Sequence, residues 1–431
     1  MFSNRTRYNP SNFAATMQRL KSLSDTKILN SRKNEYIAYS QSLKKIYQLQ
    51  DIDLLLNQML DNQLFPNTVI INQLIKKLSQ VGFEYVDDLY RIAVNKGIAD
   101  SITYSSTIDA IAKSKKPNAE AAIKLLEEAK KLRFADKYIY ANTIDAIAKS
   151  ELPNAYDAIR LLEEAKKLGF ADVVTYNNTI DAIAKSANPN VDDAIRLLEE
   201  EKTLGIADAI TYNSTIDTIA KSVNPNVDAA IRLIEEAKEL GFANAITYNS
   251  TLDAIAKSAN PNVQNAIRLL EEAKTNELLK LPTMTSGNIV DLHDLSFGSA
   301  YFWMKKEMDK LLLNSTDTVS ITFIYGKGLN SKANGETHPI KQAVLKIVRD
   351  MQNDISDCNE IEGNIGRFHI NFQRKKLNNE LHKQADYHDI TLKHRDKKSY
   401  HSQQLFAQYA AIGSSTLNPE AKPFTPQNRN Y

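Results

Sequence analysis

The chain holds one cysteine, Cys358, one tryptophan, 13 glycines and 12 prolines in 431 residues. A single cysteine excludes an intramolecular disulfide, and no Cys-x-x-Cys pair is present to build a zinc site. No apolar run approaches the roughly 18 residues that a membrane-spanning helix needs, so no membrane partner is expected. With no apolar signal-peptide core either, a reducing compartment follows, and the cytoplasm is the expectation. Few glycines and prolines exclude a turn-rich β protein and favour long helices.

Charge is unevenly missing. The first 24 residues contain no acid but carry Arg5, Arg7, Arg19 and Lys21. Such a stretch is similar to an organellar transit peptide, which would place the protein in mitochondria or another organelle; a disordered basic terminus is the other reading. From Ser101 to Lys274, 21 Lys and Arg face 26 Asp and Glu, a net charge of −5 that leaves +7 on the rest. The tail from Arg374 to Tyr431 has ten Lys and Arg, five acids and four of the seven histidines. It reads as a disordered basic segment with non-specific nucleic-acid affinity. The spacing of His382, His388, His394 and His401 fits no zinc pattern.

What is abundant is repetition. Tyr104, Tyr140, Tyr176, Tyr212 and Tyr248 follow one another at 36 residues. Within one copy, Tyr176, Ile180, Ile183 and Ala184 mark an apolar helical face. Asn188-Pro189-Asn190 breaks it, and Ala194, Ile195 and Leu198 mark a second helix closing at Gly205. Asn190 suits the N-cap of that second helix, with Asp193 three residues on, and Gly205 suits a left-handed C-terminal position. Each unit is an αα-hairpin that must stack on its neighbours to bury its apolar face, giving an α-solenoid of helix-turn-helix repeats. Residues 101–280 hold five regular copies and residues 36–100 two divergent ones, after a basic N-terminal segment, 1–35.

Val173-Val174-Thr175-Tyr176-Asn177, Ile180-Asp181, Lys185, Ala194-Ile195 and Glu199-Glu200 resemble the pentatricopeptide repeat. The resemblance implies binding of single-stranded RNA, with one base selected per repeat by two residues. The first is the residue after the tyrosine: Ser105, Ala141, Asn177, Asn213 and Asn249. The second is the last residue of the unit: Asp136, Asp172, Asp208 and Asn244. A carboxylate only accepts hydrogen bonds and suits U or G, whereas an Asn amide also donates and tolerates C or A. The same residue types are favoured as helix N-caps, which is the competing reading. Ile102, Val174, Ile210 and Ile246 would wedge between bases. Lys113, Lys149, Lys185, Lys221 and Lys257 recur on the same face and could follow a phosphate backbone. Each has an Asp four residues earlier, so an ordinary surface ion pair competes.

Beyond Leu281-Pro282 the period stops. Ile289 to His293, Val319 to Tyr325 and Gly366 to Phe372 read as strands, and Gly298 to Leu313 and Pro339 to Met351 as helices. This predicts a small α/β sandwich in the order βαβαβ. Asp291 and His293 fall on one face at a strand end, where a carboxylate and an imidazole suit proton transfer or a divalent ion. A Gly-rich basic loop, Gly326-Lys327-Gly328 onward, follows the next strand and suits phosphate. These segments, with Asn364-Ile365-Gly366-Arg367-Phe368, resemble the Smr (small MutS-related) domain over residues 284–373. The resemblance implies nucleic-acid cleavage by Asp291 and His293, aided by Mg or Mn, with Gly326, Lys327, Gly328 and Arg367 on the nucleic acid, RNA or DNA. Asp294 stands where that family has Gly after the His, and Tyr325 where it has Thr or His before the first Gly.

The expected function is therefore selective single-stranded RNA binding by the repeats, with a module that cleaves or clamps nucleic acid. The alternative is a repeat scaffold for protein partners with an inactive Smr-like domain, which the acidic array favours. Whether the chain is an enzyme is left open by these residues.

Overall fold

The computed structural model describes residues 10–23, 32–79, 83–285, 287–314, 318–326, 338–360 and 366–372. Helix α1 (Pro10–Ser22) precedes seven helix pairs. The two divergent pairs are α2 (Lys33–Lys45) with α3 (Leu49–Asp61), and α4 (Thr68–Leu78) with α5 (Phe83–Asn95). The regular pairs are α6 (Ser101–Lys113) and α7 (Ala119–Lys131), α8 (Lys137–Lys149) and α9 (Ala155–Lys167), and α10 (Val173–Lys185) and α11 (Val191–Leu204). They continue as α12 (Ala209–Lys221) and α13 (Val227–Glu239), then α14 (Ala245–Lys257) and α15 (Val263–Thr275). The first helices of successive pairs pack on one another from α4 to α14, and each second helix packs against the first helices beside it. This is a helical solenoid. Among the described residues no helix is long and apolar enough to cross a membrane.

Local chemistry sets each helix boundary. Asn190 caps α11 by accepting the N–H of Asp192 at 3.1 Å, and Asn190 Nδ2 donates to Asp193 Oδ2 at 2.7 Å. Asn118, Asn154, Asn226 and Asn262 cap the other second helices through their side chains. After each second helix one residue turns left-handed, at Gly205 (φ 68°) as expected, but at Arg133 with φ 59°.

A buried ladder ties neighbouring pairs together. The recurring tyrosines are fully buried, and from Tyr140 onward their hydroxyls donate to a glutamate on the second helix: Tyr140 to Glu164 at 2.8 Å, Tyr212 to Glu236 at 2.8 Å, Tyr248 to Glu272 at 2.7 Å. The same glutamates pair with a lysine from the preceding repeat, Lys130–Glu164 at 2.6 Å and Lys202–Glu236 at 2.6 Å. Those contacts hold the glutamates below their usual range despite partial burial, which acts the other way.

Pro10–Ser22, expected within a basic terminal segment, instead folds: α1 buries Phe13, Met17 and Leu20 against α3 and α5. Two of its basic residues pair with acids, Arg19 with Asp61 at 2.7 Å and Lys21 with Asp88 at 2.6 Å. Arg5 and Arg7 lie outside the described residues, as does the whole tail from residue 373.

The C-terminal module contains β1 (Ile289–Asp291), α16 (Phe297–Asn314), β2 (Val319–Ile324), α17 (Pro339–Asp350), β3 (Ile355–Glu360) and β4 (Arg367–Phe372). The sheet order is β1-β2-β4-β3, with β1 and β2 parallel and the other pairs antiparallel. The order is thus βαβαββ, one strand more than expected. Alternate residues such as Ile321, Phe323, Phe368 and Ile370 are buried, as period-two strands with one covered face require. The change of architecture at Pro282 is not a break in the core. Helix α16 stacks on α14 where the first helix of an eighth pair would lie, and one apolar cluster runs from the last repeats into the sheet.

Two predictions follow from backbone geometry. Arg133→Gly should stabilise the fold by about 1 kcal/mol by relieving a left-handed side chain, read as a rise in the denaturant midpoint. A Cβ at Gly298 would sit 2.3 Å from the Leu252 carbonyl. Gly298→Ala should therefore destabilise by about 1–3 kcal/mol and open the 276–296 connection to limited proteolysis, while the native chain resists.

Candidate nucleic-acid interface

Residues three, seven and eleven after Ile102, Val174, Ile210 or Ile246 share one face of each first helix. The wedge candidates, with Tyr138 at the same register, are each half exposed or more, from 50% at Val174 to 61% at Tyr138. Leu132, Leu168, Leu204 and Leu240, at the ends of second helices, are exposed to a similar degree.

The last residue of every unit caps the first helix of the next. Asp208 Oδ1 accepts the N–H of Ile210 at 2.8 Å and of Thr211 at 3.0 Å, and the Thr211 hydroxyl accepts the Asp208 N–H at 3.1 Å, closing a capping box. Asp100, Asp172 and Asn244 form the same box, and Asp136 caps Tyr138 and Ile139 without one. Capping was the competing explanation for these residues, and it is real. It does not exhaust them. In each aspartate the cap uses Oδ1, and Oδ2 makes no described contact. A capping Asp therefore keeps one bare acceptor, while a capping Asn, whose Oδ1 is committed, keeps the Nδ2 donor.

The structure joins the two residues of a pair across the repeat junction where both are long enough. Asn177 Nδ2 donates to Asp208 Oδ1 at 3.3 Å, Asn213 Nδ2 to Asn244 Oδ1 at 3.4 Å, and, in the divergent part, Asn72 Nδ2 to Asp100 Oδ1 at 3.0 Å. Asn177 is buried and its Oδ1 has no partner. Ser105 is not joined to Asp136; it takes an N–H from Asn142 at 3.2 Å. Ala141, opposite Asp172, offers only its carbonyl, which Asn178 fills at 3.1 Å. Asn142 and Asn178, and the capping threonines, are contributors that the sequence reading passed over, although Thr recurs before every tyrosine but Tyr140.

Asn249 stands apart. Its Oδ1 accepts from Ser299 of α16 at 2.5 Å, and nearby Asp253 accepts from Ser296 Oγ at 2.7 Å and the Gly298 N–H at 2.6 Å. The position expected to read a base instead holds the C-terminal module, and burial pushes the Asp253 carboxyl up. The lysine ladder also resolves toward ion pairs. Lys113, Lys149, Lys185 and Lys221 each bond the Asp four residues earlier, at 2.6–2.7 Å. Lys257, whose Asp253 is taken by α16, donates to the Ala220 carbonyl at 3.2 Å. All four paired lysines remain two-fifths or more exposed, so the pairs are weak and can be exchanged for phosphate.

At the sheet end, β1 stops at Asp291, so His293 owes its place to a turn: Asp291 Oδ1 accepts the His293 N–H at 3.1 Å. The same oxygen lies 2.6 Å from His293 Nδ1, and Asp294 Oδ1 lies 3.1 Å from Nε2. The two carboxylates, Asp291 foremost, raise the imidazole pKa. Gly326 (φ 83°) lies against His293, and Arg367 occupies the same row across the sheet as Asp291. Lys327 and Gly328 lie outside the described residues. Asp291, His293 and Gly326 thus lie together, with Arg367 in the same row beyond Ile324, but both imidazole nitrogens are engaged. Among the described residues no group of three or more His, Cys, Asp or Glu is arranged to hold a metal ion. No step through Mg or Mn is derived.

No protein-family model and no curated protein matches the chain. Among solved structures, the pentatricopeptide repeat protein PPR10 from maize aligns with a TM-score of 0.41 and 20% identity, over 79% of this chain and 44% of that one. PPR10 in complex with an 18-nucleotide psaJ RNA element aligns at 0.38 and 17%, over 81% and 51%. The chain spans about half the length of these proteins.

The clamp on His293 is testable by NMR titration. Its imidazole should titrate above the ordinary His range, and Asp291→Asn should lower that pKa more than Asp294→Asn does. Equal effects would mean that the Nδ1 contact is not the dominant one.

Proposed function

We propose that the repeat array binds single-stranded RNA one base per repeat, through the residue after the tyrosine and the capping residue that follows it. The observation that carries this is the bare atom left at each cap. A strand of stacked bases offers flat apolar faces for Ile102, Tyr138, Val174, Ile210 and Ile246, and a polar edge for Oδ2 or Nδ2. An aspartate accepts the imino N–H of U or G; an asparagine donates to the ring nitrogen of C or A. Read N to C against RNA 5′ to 3′, Ser40 with Asn67 selects A, Asn72 with Asp100 U, and Ser105 with Asp136 G. Asn177 with Asp208 selects U, and Asn213 with Asn244 C or U; Ala141 with Asp172 carries no assignment. With a net charge of −5 over the regular repeats, base contacts rather than phosphates must supply most of the affinity.

For the C-terminal module we propose an Smr-like role in contacting nucleic acid beyond the last repeat, through Arg367 and the loop from Gly326. Cleavage would need His293 released from Asp294, because a carboxylate on Nε2 both blocks that nitrogen and repels a phosphodiester.

Selection from random RNA with the full chain should enrich a core of the form AUG-any-U-pyrimidine, and recovery of no motif overturns the reading. Asn244→Asp should turn the final pyrimidine preference toward U by roughly tenfold in relative affinity, the worth of about 1.4 kcal/mol. Asp208→Asn, which makes the pair match Asn213–Asn244, should turn the preceding position from U toward C by a similar factor.

A further inference from the structure

One residue breaks the register of the repeats. Ala129, Ala165, Ala237 and Ala273 recur at 36-residue spacing, all fully buried on second helices, and the matching place on α11 is Glu201, equally buried. A carboxyl where four sister repeats have a methyl carries a desolvation cost that a neutral fold has no reason to accept. Its surroundings show what it meets. Glu201 Oε2 lies 2.9 Å from Thr211 Oγ1, Thr211 Oγ1 lies 3.2 Å from Asp208 Oδ1, and Asn177 Nδ2 donates to that same Oδ1 at 3.3 Å. The outer ends of this chain, Glu201 Oε1 and Asn177 Oδ1, are buried without partners.

We propose that Glu201 is a positioning residue for the Asn177–Asp208 pair, holding Asp208 through Thr211 so that base selection in this one repeat depends on the proton that Glu201 carries. This rests on the RNA reading above for its consequence, but not for the network itself. Thr211 has one hydroxyl hydrogen and two carboxyls competing for it. With Glu201 protonated, its O–H donates to Thr211 Oγ1, and the Thr211 hydrogen goes uncontested to Asp208 Oδ1. Asp208 then keeps its charge on the side of Oδ2 and accepts from a base. With Glu201 ionised, the Thr211 hydrogen turns to Glu201, Asp208 Oδ1 loses a donor, and a second buried negative charge lies behind the reading pair.

Burial holds the Glu201 carboxyl at about 8, with Asp208 raising it further and the Thr211 contact lowering it. Of the elements packed on α11, only α12 brings a charge that acts on Glu201, the capping Asp208; α10 brings none. A folded pKa raised above the ordinary 4.5 means that the native state holds the proton more tightly than the unfolded one. Stability is therefore lost as pH rises from about 4.5 through about 8, and the bonded, neutral state is the one populated at neutral pH.

The full chain, Glu201→Gln and Glu201→Ala are compared. Gln donates an N–H to Thr211 at every pH, and Ala is the residue that four repeats already fold around. Without RNA, the Asn177 side-chain amide resonance should shift between pH 6.5 and 9 in the native chain and stay fixed in both variants. The melting temperature should fall over the same range only in the native chain. With RNA from the selection, preference for U over C opposite Asn177–Asp208 should drop severalfold from pH 6.5 to 9 in the native chain. Glu201→Gln should hold it constant, and preference opposite Asn213–Asn244 should not follow Glu201 in any of the three. A resonance and melting profile unchanged by Glu201→Gln, or equal pH effects at both base positions, overturns the proposal. Absence of RNA binding with the resonance shift present would sink the RNA reading and leave the network standing.

Discussion

A single oxygen at each repeat junction carries more of this structure than any other atom. Oδ1 of Asp100, Asp172, Asp208 or Asn244 receives the first free N–H groups of a helix, lies beside the hydroxyl of the threonine three residues on, and in three junctions receives the amide of an asparagine from the preceding repeat. Helix initiation and the spacing between neighbouring repeats are thus set at the same point. Removing the cap would cost roughly 1 kcal/mol in helix stability alone. Because the second atom of each side chain is spared, the residue can serve the fold and still face a ligand. A committed capping oxygen and a spare polar atom at that register are consequences of one geometry.

Directional chemistry on the first helices is balanced by undirected packing behind them. The buried tyrosines fill the space between helices, and their hydroxyls are anchored by glutamates that also bind a lysine of the preceding repeat. This makes the spacing of the first helices a property of the second helices as well. It also explains why an acidic array stacks without self-repulsion: its acids are largely committed, to Lys four residues on or to Lys one repeat away.

Much of this was legible in the sequence because a 36-residue period repeats the same tyrosine, Asn-Pro-Asn turn and apolar faces until chance is excluded. The elements that escaped lacked either period or contrast. Helix α1 reads as basic and polar, and its burial of Phe13, Met17 and Leu20 depends on a groove between α3 and α5 that no local window shows. Strand β3, Ile-Ser-Asp-Cys-Asn-Glu, has little apolar content because it is an edge strand and need not be covered on both faces. The residues that pair across the repeat junctions stand out by their period, but the contact of Asn249 does not, since its partner Ser299 lies 50 residues away in another architecture. Glu201 was hidden in plain view, the third of three consecutive glutamates, of which only this one points inward.

A solenoid must end, and the way this one ends reuses the chemistry of its own repeat junctions. The last first-helix would expose Tyr248, Leu252 and Ile255, an apolar face that terminal capping normally covers. Here α16 covers it, entering with Ser296 and Ser299 at the cap and third positions that Asn244 and Thr247 occupy one repeat earlier. The imitation stops at Gly298, where the wedge residue of a repeat would stand: the helices approach too closely for any side chain. With Asn249 and Asp253 spent on this junction, the series of joined pairs ends at Asn213–Asn244. Asp291 and His293 precede α16 by only a few residues, so the same docking that terminates the array also ties the imidazole to the end of the last repeat.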